Sequence, residues 1–203
     1  KAFAGNAHSN WGIKTDGTLW SWGYNYQGQL GLNDQIARSS PVQIPGTTWK
    51  QADGGSYWSS AIKTDGTLWS WGYNFAGCLG QNNVHPAGTV SSPIQIPGTT
   101  WSIISSGVDG YGQHGIKTDG TLWAWGGNNN EGSLGLNNRT KYSSPVQIPG
   151  TNWSKVSGGG AQFALAVKTD GTMWTWGNNN YGQLGQNNQD KYSSPVQIPG
   201  TTW

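Results

Sequence analysis

The sequence predicts an all-β fold, a β-propeller built from four-stranded antiparallel blades. Three observations carry this. The chain contains a fourfold internal repeat of about 50 residues. Every repeat places Asp-Gly between two apolar runs. Fourteen tryptophans accompany 33 glycines in 203 residues.

The repeat is explicit. Lys-Thr-Asp-Gly-Thr recurs with its aspartate at Asp16, Asp65, Asp119 and Asp170. Each copy leads into Trp-x-Trp-Gly, at Trp20/Trp22, Trp69/Trp71, Trp123/Trp125 and Trp174/Trp176. An Asn-rich stretch then ends in Leu-Gly, at Leu30-Gly31, Leu79-Gly80, Leu134-Gly135 and Leu184-Gly185. Each unit closes with Ser-Ser-Pro-(Val/Ile)-Gln-Ile-Pro-Gly-Thr-(Thr/Asn)-Trp, ending at Trp49, Trp101, Trp153 and Trp203. The units 1–49, 50–101, 102–153 and 154–203 therefore read as one repeat array. Their length suits a blade of four strands of about 5–6 residues plus turns. The absence of distinct capping sequences favours a longer array over a closed four-bladed ring.

Local chemistry supports the strands. Ala164–Lys168 and Thr172–Trp176 flank Asp170-Gly171, a hairpin signal that predicts a type I′ turn with positive φ at both central residues. The proline-bounded Ser-Ser-Pro-Val-Gln-Ile-Pro segments suit an outer blade edge. Residues two apart on a strand share a face, so Trp20 and Trp22 project together. A Trp face of one blade is expected to pack on a small face of the next, such as Ala164 and Ala166.

Composition excludes several classes. Only 10% of residues are charged and the net charge is +2, too little for a nucleic-acid footprint or polybasic membrane attachment. No run approaches the length of a spanning helix. Aromatic content argues against disorder, because it supplies the area that offsets ordering entropy. Cys78 is the single cysteine, so no internal disulfide forms. No cofactor motif is visible: Gly158-Gly159-Gly160 lacks the lysine and helix of a phosphate loop.

No catalytic or metal set converges. Four turns explain the four aspartates together. His8, His85 and His114 show no ligand spacing and read as surface or loop histidines. Cys78 aligns with Gln29, Ser133 and Gln183, which suggests a position outside the deep core.

Differences between copies point to recognition, because loops tolerate change while the scaffold does not. One variable segment precedes the hairpin and carries Trp11, Trp58, Tyr111 and Phe163. Local packing is the simpler reading of these aromatics; exposure in a loop would make them contacts. The other is the long loop, with Arg38, His85, Arg139, Lys141 and Lys191 in or beside it. These nine residues are the candidate ligand or partner contacts. Asn138-Arg139-Thr140 is a formal glycosylation sequon.

The string Lys-Thr-Asp-Gly-Thr-Leu-Trp-Ser-Trp-Gly-Tyr-Asn-x-x-Gly-Gln-Leu-Gly resembles the regulator of chromosome condensation repeat, over nearly the whole chain. That resemblance implies a propeller of about seven blades, of which four are present here. It also implies diverse activities, including nucleotide exchange on a small GTPase, so fold alone leaves function open. The near-identity of the copies, with repeats three and four sharing residues 141–151 and 191–201, looks like bacterial or bacteriophage surface proteins. The expectation is a non-enzymatic interaction or surface-display propeller, extracellular, on a cell surface or on a virion, within a larger assembly. It takes a protein partner and neither nucleic acid nor a membrane. A lectin-like glycan binder is the alternative, and an exchange factor the third reading.

Overall fold

The computed structural model describes residues 2–4, 9–83, 88–107, 112–127, 129–158 and 162–203. They form four separate four-stranded antiparallel sheets, each in simple chain order. Blade 1 holds β1 (Ala2–Ala4), β2 (Ser9–Ile13), β3 (Leu19–Gly23) and β4 (Arg38–Gln43). Blade 2 holds β5 (Trp49–Gly54), β6 (Trp58–Lys63), β7 (Leu68–Tyr73) and β8 (Thr89–Ile96). Blade 3 holds β9 (Trp101–Ser106), β10 (Gly112–Lys117), β11 (Leu122–Gly126) and β12 (Tyr142–Gln147). Blade 4 holds β13 (Trp153–Gly158), β14 (Phe163–Lys168), β15 (Met173–Gly177) and β16 (Tyr192–Ile198). The first strands of successive blades touch one another, β5 with β9 and β9 with β13, and so form the inner edge. The proline-bearing fourth strands lie at the outer edge, as their sequence predicts. The four blades make part of a propeller.

The Asp-Gly hairpins form, by a different turn from the one predicted. Lys14 N donates to Thr18 O and Gly17 N donates to Lys14 O, both at 3.0 Å. Of the two central residues only Gly17 has positive φ (+80°). The loop therefore has three residues, a turn closed by one left-handed glycine, the next most common hairpin connection. The side chains explain the longer motif. Asp16 Oδ1 accepts from Thr18 N at 2.9 Å and Thr18 Oγ1 at 2.7 Å. Thr18 Oγ1 accepts in turn from Trp20 Nε1 at 2.9 Å, and the Lys14 ammonium sits 3.7 Å from the Trp20 ring centroid. The Asp-Thr-Trp chain of bonds recurs in the other three blades. These bonds to the ionised form hold all four carboxyls below the ordinary aspartate range.

Blades are joined by the second tryptophan of each motif. Trp71 Nε1 donates to Gln29 O at 2.9 Å, Trp125 Nε1 to Cys78 O at 3.1 Å and Trp176 Nε1 to Ser133 O at 2.8 Å. All three indoles are fully buried. The small residue opposite each is the glycine of Leu-Gly in the preceding blade. A Cβ at Gly31, Gly80 or Gly135 would lie 2.8, 3.0 or 2.9 Å from that indole nitrogen. Ala164 and Ala166 join the same cluster as Trp176 from within their own blade. Main-chain bonds extend the seam: Asn33 N to Ser91 O, Asn82 N to Ser143 O, and Asn137 N to Ser193 O.

A buried asparagine organises each long loop. Asn179 Oδ1 accepts from Leu184 N at 3.0 Å, and its Nδ2 donates to Asn188 O and Asp190 O at 2.9 Å. Asn25, Asn74 and Asn129 do the same for Leu30, Leu79 and Leu134. Among the described residues no helix is long and apolar enough to cross a membrane.

Two stability outcomes follow. Asn179→Ala strands a buried main-chain N–H and lowers the unfolding free energy in urea by about 3 kcal/mol, while Asn180→Ala on the exposed side changes it by less than about 0.5 kcal/mol. Trp125→Phe removes the indole donor to the Cys78 carbonyl and costs about 2 kcal/mol; Trp22→Phe, at the same motif position on a half-exposed face, costs less than half as much.

Candidate functional site

Trp11, Trp58 and Phe163 lie on strands rather than in the loop before them, and this moves them inward. Trp11 on β2 and Trp58 on β6 are each 1% exposed, so neither offers a surface to a ligand. A Cβ on Gly54 of blade 2 would lie 2.9 Å from the Trp11 ring, which packs Trp11 under its neighbour. Phe163 is half-buried and lines a narrow gap with His114, Ser133, Gly158 and Gln162. Variation here is a choice of packing at the blade seam. Tyr111 and His85, like His8, lie outside the described residues.

His114 and Cys78 also differ from expectation. His114 sits on β10 at 3% exposure. Its Nε2 lies 3.1 Å from Ser133 O, so Nε2 carries the proton, and its ring meets Trp176 edge-on at 5.7 Å. Burial pushes its pKa down to about 4. Cys78 is completely buried, because what its position supplies is a carbonyl for Trp125; any side chain there enters the seam, as Gln29 and Ser133 do. Its thiol donates to Tyr73 O at 3.0 Å, and burial raises its pKa far above the ordinary thiol range.

The basic candidates divide. Arg38 is held by Asp34 at 2.5 Å and by Ile36 O, and the Ile36 N–H bond and the Arg38 charge hold the Asp34 carboxyl below its usual range. Lys191 pairs with Glu131 at 2.7 Å, tying blade 4 to blade 3. Arg139 and Lys141 are exposed. In the sequon, Asn138 Nδ2 already donates to Leu136 O and Tyr142 OH.

The surface that emerges is one the sequence reading passed over. Antiparallel pairing of Ser9 with Gly23 and of Trp58 with Gly72 puts the β1–β2-type and β3–β4-type loops at one end of the blades. Exposed aromatics gather at that end: Tyr26 (63%), Tyr57 (38%), Phe75 (45%) and Tyr181 (90%). Tyr26 meets Tyr24 edge-on at 4.8 Å, and Phe75 stacks on Tyr73 at 5.9 Å with planes 5° apart. Tyr73 N donates to Tyr57 O at 2.9 Å, joining two of these loops. The signal was available: Tyr26 and Phe75 flank the repeated asparagine, and the later blades place Asn130 and Asn180 there.

A second polar group lies on the inner strands. Gln51 on β5 exchanges two hydrogen bonds with the Ile104 main chain of β9. Asp53 accepts from Gly54 N at 2.7 Å and Ser106 N at 3.3 Å. Burial nonetheless raises its pKa to about 6. Among the described residues no three His, Cys, Asp or Glu side chains group to hold a metal ion.

Two opposed pH effects follow from the shifted groups. Asp53 binds its proton more tightly folded than unfolded, so its contribution to stability rises as pH falls from above 6 towards 3.8. His114 resists protonation when folded, so stability falls as pH drops from 6.5 towards 4. Thermal melts between these limits separate them. Asp53→Asn removes the opposing gain and so steepens the acid loss. His114→Leu, the residue type that Leu165 supplies in blade 4, lessens the acid loss.

Four separate antiparallel blades, packed face to face around an inner strand set, define a β-propeller. The chain belongs to the Regulator of chromosome condensation (RCC1) repeat family, whose repeat matches residues 16–62, 65–112, 119–167 and 170–202; a second form of the repeat matches 153–183. No curated protein sequence matches the chain significantly. Among solved structures, human WBSCR16 is similar over 98% of this chain and 52% of its own, at 21% identity and a TM-score of 0.83. Prp20p from Saccharomyces cerevisiae, described with its binding to Gsp1p and histones, is similar at 19% identity and a TM-score of 0.81, over 97% of this chain and 49% of its own. Yeast RCC1 (Prp20) bound to Kap60 gives 20% identity and a TM-score of 0.83, over 99% and 48%. The chain thus spans about half the length of these structures.

Proposed function

We propose that this chain is a non-enzymatic protein-interaction propeller whose loop face docks a protein partner through Tyr26, Tyr57, Phe75 and Tyr181. The observation that carries this is the gathering of exposed aromatic side chains at one end of otherwise polar blades. Aromatic rings supply large contact area at low conformational cost and dominate interface energetics. Arg139 and Lys141, exposed on the adjoining loop of blade 3, supply a polar rim. One structural relative, yeast Prp20, is described with protein partners in two structures, Gsp1p and histones in one and Kap60 in the other, which supports a protein as the partner class. Display on a virion or cell surface extends the same reading, supported by near-identical repeats rich in Asn, Gly and Thr. Nucleotide exchange on a small GTPase stays a third reading, supported only by the repeat family.

Carbohydrate is the second reading, and one observation favours it: the exposed Phe75 ring lies parallel to Tyr73, a flat aromatic platform of the kind on which a sugar ring stacks. The test is affinity capture from the source organism with the wild-type chain and the Tyr26→Ala/Phe75→Ala/Tyr181→Ala variant. The expected result is a protein bound by the first and weakened at least tenfold, about 1.4 kcal/mol, in the second, with unchanged thermal unfolding. Equal capture by both would overturn the assignment to this face. Binding to glycans alone, lost with Phe75→Ala, would replace the protein reading by the sugar one.

A further inference from the structure

The repeat uses tryptophan in three places, and in two of them the indole N–H is satisfied. The first of the Trp-x-Trp pair donates to its threonine, and the second donates to a carbonyl across the seam. The third, Trp49, Trp101 and Trp153, is 3%, 1% and 3% exposed. Among the described residues its Nε1 nevertheless finds no acceptor at any of the three seams. Buried donors are nearly always paired in native proteins, so the same omission three times over points to a ligand.

The surroundings are built alike. Between blades 1 and 2 an open groove of about 480 Å³ is lined by Gly46, Trp49, Lys63 and Trp69, with Asn33 and Ser92 at its rim. The Lys63 ammonium lies 4.8 Å from the Trp49 ring centroid and 4.5 Å from that of Trp69. A Cβ on Gly46 would be 3.6 Å from both Lys63 Nζ and Trp49 Nε1, so the two donors border one small space. At Gly98 the matching distances to Lys117 and Trp101 are 3.7 and 3.8 Å, and at Gly150 those to Lys168 and Trp153 are 3.6 and 3.7 Å. Neither ion pair among the described residues includes Lys63, Lys117 or Lys168, and Asp65 commits its Oδ1 to Thr67. Asn33 Oδ1 accepts from Ser92 Oγ at 3.0 Å, which leaves its Nδ2 as a further donor. The later seams repeat this pair as Asn82 with Ser144 and Asn137 with Ser194.

We propose that these three seam grooves are equivalent binding sites for an acidic sugar. One carboxylate oxygen accepts from the indole N–H and the other from the ammonium, which rides on a flexible stem and shifts to admit it. The sugar ring lies on the half-buried Trp69, Trp123 or Trp174. A set made of donors selects an acceptor-rich anion. Three like sites in a row suit a ligand whose recognised unit also recurs, an acidic polysaccharide, and they gain from binding it together. The groove shares no lining residue with the aromatic loop face.

The test follows the indole N–H signals of nitrogen-labelled protein by magnetic resonance as D-glucuronate is added. The signals of Trp49, Trp101 and Trp153 are expected to move, while those of the paired Trp71, Trp125 and Trp176 stay. Glucose, which lacks the carboxylate, moves none of them, and acetate, which lacks the ring, binds at least tenfold more weakly. Lys63→Met abolishes the response of Trp49 and spares Trp101 and Trp153, so the same spectrum shows that the blades remain folded. No movement with glucuronate at up to ~10 mM would overturn the proposal, as would an equal response to glucose. Acetate binding as tightly as glucuronate, or an acidic peptide binding more tightly, would overturn the sugar as occupant.

Discussion

The architecture depends on one hydrogen bond repeated at each seam, from an indole N–H to a main-chain carbonyl of the preceding blade. Tryptophan has a single donor and no acceptor. Once its ring is fully buried, that donor must meet an oxygen at one place or carry a desolvation cost. The bond therefore fixes both the height and the rotation of one sheet against the next. The Leu-Gly glycine follows from it. The indole of Trp71 comes so near Gly31 that a Cβ would lie 2.8 Å from its nitrogen. The leucine beside each glycine is buried in all four blades and anchors the carbonyl from below.

Two networks within each blade deliver that tryptophan and that carbonyl to the seam. The Asp-Thr-Trp chain of bonds orients the first indole of the motif, and with it the strand that carries the second. The asparagine clamp closes the long loop and sets the main chain that ends in Leu-Gly. Most of the repeated motif is thus committed to scaffold. Freedom to recognise something else is left to side chains that the networks do not use and that point outward, as Tyr26, Phe75 and Tyr181 do.

This division explains what the sequence could convey. The four blades of this chain, their four antiparallel strands, the hairpins and the outer proline edge were all legible, because each follows from spacing and turn chemistry that repeats. The exact turn was not. Asp-Gly suits both a two-residue loop and the observed three-residue one, and the choice rests on whether Lys14 pairs with Thr18. The burial of His114 and Cys78 was not legible either, whereas that of Trp11 and Trp58 agrees with the simpler of their two readings. Variation between copies looks the same whether it relaxes packing at a seam or alters a surface, and only the register of β2, β6 and β10 separates the two. The aromatic loop face was legible in principle, since Tyr26 and Phe75 flank an asparagine that never changes, but tryptophan outside the motif drew attention first.

A repeated head-to-tail seam has a consequence that no single blade reveals. Every blade offers a tryptophan face on one side and a Leu-Gly face on the other, so one kind of contact serves every seam. Blades added in the same sense meet the same two faces, and a ring of them closes with no new kind of contact. The indole bond and the glycine that faces it therefore set the packing rule for the whole propeller of which these four blades are part.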